Sequence, residues 1–172
     1  DAVGRPPLAT LGNLLARKGN TPCTGKAVTL ALALPDPQGG APRMTEAEVM
    51  LLPVSAAARA RAFRAADIWV TEQIRQESES GTPGAAHDLA EERVYRLMLE
   101  AMRDSEDARR RFVSADEVDT FREILVFEQL QALDREYAAL LKEEFPETLT
   151  EADLKTMRKE AETFTSGTPA QP

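Results

Sequence analysis

Apolar residues recur at helical spacing over most of the chain, from Phe63 to Phe164, and this pattern limits the fold more than any other feature. Stripes of this kind predict helices that each bury one face against neighbouring elements. We therefore expect a mainly α protein, a small helical bundle of four to five helices with a minor N-terminal β element.

Capping and helix-breaking residues set the expected helix ends. Ser55 and Thr150 are plausible N-caps, Ser114-Ala115-Asp116-Glu117 has the form of a capping box, and Pro146 ends the helix before it. The predicted helices cover approximately residues 56–76, 87–103, 118–125, 127–144 and 151–164.

The first 47 residues are rich in Gly, Pro and Thr and differ from the rest. Lys26–Leu34 alternates large and small residues with period two, which predicts a strand ended by the turn residues that follow Leu34. A weaker strand is predicted over Glu48–Leu52, and a short helix over Leu8–Lys18. We expect a Gly/Pro-rich N-terminal arm with a β-strand (1–47), a helical domain (48–164) and a disordered tail (165–172).

Charge and composition exclude several classes of function. The 172 residues carry a net charge of −8, which disfavours binding to nucleic acid, and no apolar run approaches the roughly 18 residues that span a membrane. Aromatic residues make up only 5%, so the core is expected to be thin and self-association is one way to add stability. The single cysteine, Cys23, fits a reducing compartment. The chain has no signal peptide of the usual shape, so we expect a cytoplasmic protein. Because it lacks an initiator Met, we expect that it was trimmed, processed or begins inside a longer product.

The residues that first suggest catalysis do not form a recognisable site. Gly19–Lys26 resembles a phosphate-binding loop, but five residues separate its glycines where the motif has four, and Ala27 replaces the Ser or Thr that binds magnesium. His87 is the only histidine and is expected to be a solvated or capping side chain. Adjacent carboxylates such as Glu91 and Glu92 point about 100° apart on a helix and do not converge. We expect no enzyme activity, no catalytic residue, no metal and no cofactor.

Two arginine clusters stand out against the acidic background. The first comprises Arg59, Arg61 and Arg64, and the second comprises Arg109, Arg110 and Arg111. Because neither is interleaved with aromatic residues, we expect ion pairs with acidic helices or a patch for an acidic partner, rather than a nucleic-acid interface.

Three segments follow one another in the C-terminal half, after the Lys26–Pro35 strand: Arg96–Asp104, Phe112–Val118 and Leu130–Tyr137. In their order and style they resemble the tail assembly chaperone-like proteins of long-tailed bacteriophages. It implies a non-enzymatic helper that coats the tape measure protein while tail tube subunits polymerise. It implies no catalytic residues.

We therefore expect a non-enzymatic protein-binding adaptor or assembly chaperone, with a tape measure or other tail protein as one candidate partner. One alternative is a structural subunit of a phage tail or another large assembly, in which case it would be found in the virion rather than in the host cytoplasm. The other is a carboxylate-based enzyme. The apolar stripe of the C-terminal helices fits either an ordinary helical core or a surface that accepts a partner. The expected partner-binding residues are Phe121, Ile124, Phe127, Leu130, Leu133 and Tyr137.

Overall fold

The computed structural model describes residues 24–81 and 87–145, together with Leu11, Lys155, Thr156 and Lys159. Within this part of the chain there are three strands and four helices: β1 (Lys26–Leu34), β2 (Arg43–Leu51), α1 (Ala56–Ser80), α2 (Leu89–Ala101), β3 (Met102–Asp104), α3 (Val118–Ile124) and α4 (Phe127–Glu144). Apart from the four single residues, the predicted helices at 8–18 and 151–164, the tail 165–172 and Cys23 lie outside the described residues.

The strand predicted at Lys26–Leu34 is confirmed as β1, which pairs with β2 in an antiparallel hairpin. The turn is stabilised by Asp36, whose carboxylate accepts hydrogen bonds from the backbone N–H groups of Gln38 and Gly40, both at 3.2 Å. Gly39 has φ +76°, a conformation that favours glycine. The alternating pattern therefore directs Leu30 and Leu32 into the core.

The expected mainly α fold is wrong, because the described residues form a mixed α/β fold with a three-stranded antiparallel sheet in the order β1-β2-β3. The weak strand expected at Glu48–Leu52 is the second half of a nine-residue strand that begins at Arg43. The helix expected to reach Arg103 ends at Ala101, and Met102 begins β3 directly. Met102 fits the apolar stripe of the preceding helix, so the helical pattern hid the start of the strand.

Three helix predictions agree closely with the structure. Ser55 is the N-cap of α1 and accepts a hydrogen bond from the backbone N–H of Ala58 at 3.2 Å. The helix is about one turn longer than expected and ends at Gly81, which has φ +65°. The bounds of α4 are as predicted. The capping box before α3 is half formed: the Ser114 N–H donates to Glu117 Oε2 at 3.1 Å, while the Ser114 hydroxyl donates to Asp116.

One core joins the sheet to the helices. Its buried members come from all three strands and from α2, α3 and α4, with one from the loop after β3: Leu30, Leu32, Val49, Leu51, Tyr95, Met98, Leu99, Ala101, Met102, Val113, Phe121, Leu130, Leu133, Tyr137 and Leu140. Strand β2 crosses the boundary expected at residue 47, and Leu30 of the expected arm packs in the same core as Leu133. No helix in the described part of the chain is long and apolar enough to cross a bilayer.

Candidate partner-binding groove

The structure separates the six expected partner-binding residues by exposure. Four are buried, with exposed fractions of 4% for Phe121, 6% for Leu130, 0% for Leu133 and 7% for Tyr137. Ile124 is half-buried, and Phe127 is 49% exposed. Most of the stripe therefore packs within the protein, because α3 and α4 turn it towards the sheet and α2.

The contacts of Leu133 and Tyr137 inside the protein explain why these two side chains are buried. Leu133 lies at the centre of the core. The Tyr137 hydroxyl accepts a hydrogen bond from the backbone N–H of Val54 at 3.0 Å, which ties α4 to the segment before α1. These two side chains hold the fold together and offer no surface to a partner.

Phe127 and Leu130 line an open groove between α2 and α4. The groove has a cavity volume of about 390 Å³. Ala90 and Val94 of α2 complete its apolar wall. Its polar rim is formed by Glu91, Gln131, Asp134 and Arg135. A concave apolar surface with a few charged residues at its edge is a typical binding site for a side chain or small ligand.

A smaller cavity of about 110 Å³ adjoins this groove and shares Glu91, Phe127 and Leu130 with it. It is also lined by Arg122 and Tyr95. The groove therefore extends past Phe127 and Leu130 into a smaller, charged inner end.

A buried carboxylate organises that inner end. Glu92 is only 4% exposed and accepts hydrogen bonds from Arg96 at 2.8 Å and from both terminal nitrogens of Arg122. The Arg122 guanidinium also lies over the rings of Trp69 and Tyr95, at 4.0 and 4.4 Å from their centroids. Cation–π contacts of this kind hold a guanidinium flat and partly desolvated. Helices α1, α2 and α3 meet at this one side chain.

The same environment shifts two pKa values. Burial raises the pKa of Tyr95 to about 12, and its hydroxyl donates to the Val118 carbonyl at 2.6 Å. Burial acts to lower the pKa of Arg122, but the hydrogen bonds and charge of Glu92 outweigh it, and the pKa is raised. Tyr95 therefore stays neutral and Arg122 stays charged across the physiological pH range.

Phe121 and Ile124 line a different cavity from Phe127 and Leu130. This third cavity, of about 270 Å³, is bounded by Leu32 of β1 and by Phe112 and Val113. A single helical stripe in the sequence thus supplies two separate concave surfaces, because the chain changes direction at Leu125 and Val126 between α3 and α4.

The residues first considered for catalysis have structural partners. His87 is not solvated as expected: its side chain is 15% exposed, its Nε2 lies 2.5 Å from Glu77 Oε1, and its ring meets the edge of Trp69. The capping role belongs to Asp88, which accepts from the N–H groups of Ala90 and Glu91. Among residues 24–81, 87–145 and the four single described positions, no group of three or more His, Cys, Asp or Glu is placed to hold a metal ion.

Sequence reasoning missed the α2 wall of the groove and the cluster around Glu92. The apolar stripe of α2 gave a partial signal through Val94, but nothing in the sequence paired Glu92 with Arg122, which is thirty positions away. Comparison with protein-family models, curated proteins and solved structures found no match to this chain.

Proposed function

We propose that this protein is a non-enzymatic adaptor or assembly chaperone that binds an amphipathic helix of a larger protein in the groove between α2 and α4. The observation that carries the proposal is Phe127, a 49% exposed aromatic side chain at the mouth of an apolar cavity. Aromatic residues beside desolvated pockets supply much of the binding energy at protein interfaces.

The chemistry of the rim favours a basic partner. Among the described residues that line the groove, Glu91 and Asp134 are acidic and only Arg135 is basic, and the whole chain carries a net charge of −8. An acidic rim accelerates the approach of a cationic segment and disfavours acidic ones. The occupant is therefore a helix with apolar residues at i, i+3, i+4 and i+7 and lysine or arginine beside them.

The resemblance to phage tail assembly chaperone-like proteins extends this proposal to a specific partner, the tape measure protein. Reversible cover of its apolar helical stripes would keep it from aggregating until the tail tube encloses it. The protein would then act in the host cytoplasm and leave the finished particle.

The structure offers a matched pair of variants for testing the groove. Phe127 and Phe145 lie at opposite ends of α4 and are both 49% exposed, but only Phe127 lines the groove. Phe127→Ser should weaken binding of a synthetic leucine–lysine amphipathic helix by about tenfold or more, while Phe145→Ser should leave it unchanged. Binding is measured by fluorescence anisotropy of the labelled peptide, with circular dichroism to show that helical content is retained.

A second variant blocks the groove from the opposite wall. Ala90 is exposed on α2, so Ala90→Trp should fill the cavity without disturbing the core and should also reduce binding. Leu130 is unsuitable for this purpose because it is 6% exposed and a polar replacement would destabilise the fold. Peptide binding that is equal in the wild type, Phe127→Ser and Ala90→Trp would refute the groove as the binding site. No binding by the wild type would refute the adaptor function.

A further inference from the structure

The two arginine clusters that stand out in the sequence each contribute one residue to a single cavity. Arg61 of α1 and Arg111 of the segment after β3 line this cavity together with Arg96 of α2. Its volume is about 390 Å³, and it is distinct from the groove at Phe127 because the two share no lining residue. Three arginines from three separate segments thus line one cavity in an acidic protein.

The charges of the lining do not balance. Among the described residues, Glu100 is the only carboxylate that lines the cavity with the three arginines, while Glu92, outside the lining, is the partner of Arg96. Arg111 donates to Glu100 at 2.9 Å, and Arg96 donates to Glu92 at 2.8 Å. Arg61 has no ion-pair partner in the described part of the chain. Asp116 and Glu117 lie outside the lining, where they bind Ser114.

The hydrogen-bonding capacity of the arginines is also largely unused. A guanidinium has five N–H donors. Arg96 is bonded through Nε and Arg111 through Nη2, and the other guanidinium N–H groups of both have no hydrogen-bond partner in the described part of the chain. Forked donors of this type bind phosphate and carboxylate oxygens in pairs.

We propose that this cavity binds a phosphate monoester. Such a group carries a charge between about −1.5 and −2 near neutral pH, and Arg61, which has no ion-pair partner in the described part of the chain, lines the cavity beside two further arginines. The cavity is larger than a bare phosphate, and its remaining wall is apolar, formed by Ala62, Leu99, Val113 and Val118. The phosphate contacts the arginines, and the carbon group that bears it contacts this wall.

Phenyl phosphate is a suitable probe because it combines both features. The wild-type protein is expected to bind it with a Kd in the low millimolar range or tighter, measured by isothermal titration calorimetry, and to bind phenol at the same concentration undetectably. Inorganic phosphate should bind more weakly than phenyl phosphate, since it leaves the apolar wall uncovered.

Arg61 and Arg64 form a matched pair for the decisive comparison. Both are exposed on α1, one turn apart, but only Arg61 lines the cavity. Arg61→Ala should weaken phenyl phosphate binding about tenfold, whereas Arg64→Ala should change it less than about twofold. Arg111→Ala is avoided because it would leave the largely buried Glu100 without its partner.

Two results would overturn the proposal: no measurable binding of phenyl phosphate to the wild type, or equal loss in the Arg61→Ala and Arg64→Ala variants. A phosphoserine peptide distinguishes the source of the ligand. Tighter binding than phenyl phosphate identifies a phosphorylated protein side chain, and weaker binding identifies a small phosphorylated molecule. Phe127→Ser should bind phenyl phosphate normally, so this proposal and the groove proposal can fail independently.

Discussion

Glu92 is the residue on which the interior depends most. A buried carboxylate is unfavourable unless its charge is balanced, and here two arginines supply that balance from α2 and α3. Arg122 in turn is held between Trp69 of α1 and Tyr95 of α2. Glu92 and Arg122 together therefore connect three helices and shape the inner end of the groove.

We predict that Glu92→Ala destabilises the protein by about 3–5 kcal/mol, because it leaves two partly buried guanidinium groups without a counter-charge. Glu91→Ala is the control, since Glu91 is the exposed neighbour on the same helix and should change stability by about 0.5 kcal/mol or less. Urea unfolding followed by Trp69 fluorescence measures both. If the two variants were equally stable, the Glu92 network would have no part in holding the helices together.

At the scale of elements, α1 and α2 are joined through small side chains. The buried face of α1 consists of Ala58, Ala62, Ala66 and Val70, at intervals of four residues, and it packs mainly against α2. Small side chains at these positions let the two helices approach closely. The contact between α1 and α2 therefore depends on small side chains at these positions of α1.

We predict that Ala66→Leu destabilises the protein by about 1–3 kcal/mol, because Ala66 is fully buried and the larger side chain forces the helices apart. Ala60→Leu is the matched control on the exposed face of α1 and should be nearly neutral. Thermal unfolding measures the difference. Equal melting temperatures would show that α1 and α2 tolerate added volume and are not closely packed.

At the scale of the whole molecule, the sheet and the helices share one core. Leu30 and Leu32 of β1 pack in the same cluster as Leu133 and Leu140 of α4. The edge of β1 is also held by α4, since the side-chain oxygen of Gln129 accepts from the backbone N–H of Ala31 at 3.3 Å and Lys26 pairs with Glu136 at 2.8 Å. The described elements are therefore expected to unfold as one cooperative unit.

We predict that Leu30→Ala lowers the free energy of unfolding by about 2–5 kcal/mol. Unfolding followed by the circular dichroism of the helices should give the same decrease in free energy. Leu30 is 1% exposed, whereas Leu34 on the same strand is 38% exposed and Leu34→Ala should cost less than about 1 kcal/mol. If helical unfolding were unaffected by Leu30→Ala, the β1–β2 hairpin and the helices would unfold independently of each other.

The sequence by itself determined the elements whose signals are local. The period-two pattern of Lys26–Leu34, the Ser55 cap and the stripe from Phe127 to Glu144 each act through near neighbours, and all three predictions are confirmed. The first half of β2 escaped notice because Arg43–Ala47 lacks a buried alternating face and is a strand chiefly through its pairing with β1. No local sequence signal marked Met102 as the start of β3.

Only the tertiary structure decided which side chains meet. A stripe at helical spacing shows that a face is apolar, but not whether that face becomes core, as at Leu133, or the wall of a groove, as at Phe127. The convergence of Glu92 with Arg122, and of Arg61 with Arg111, joins residues far apart in the chain. Both follow from how the helices pack around the sheet, and packing depends on the shapes of all the elements together.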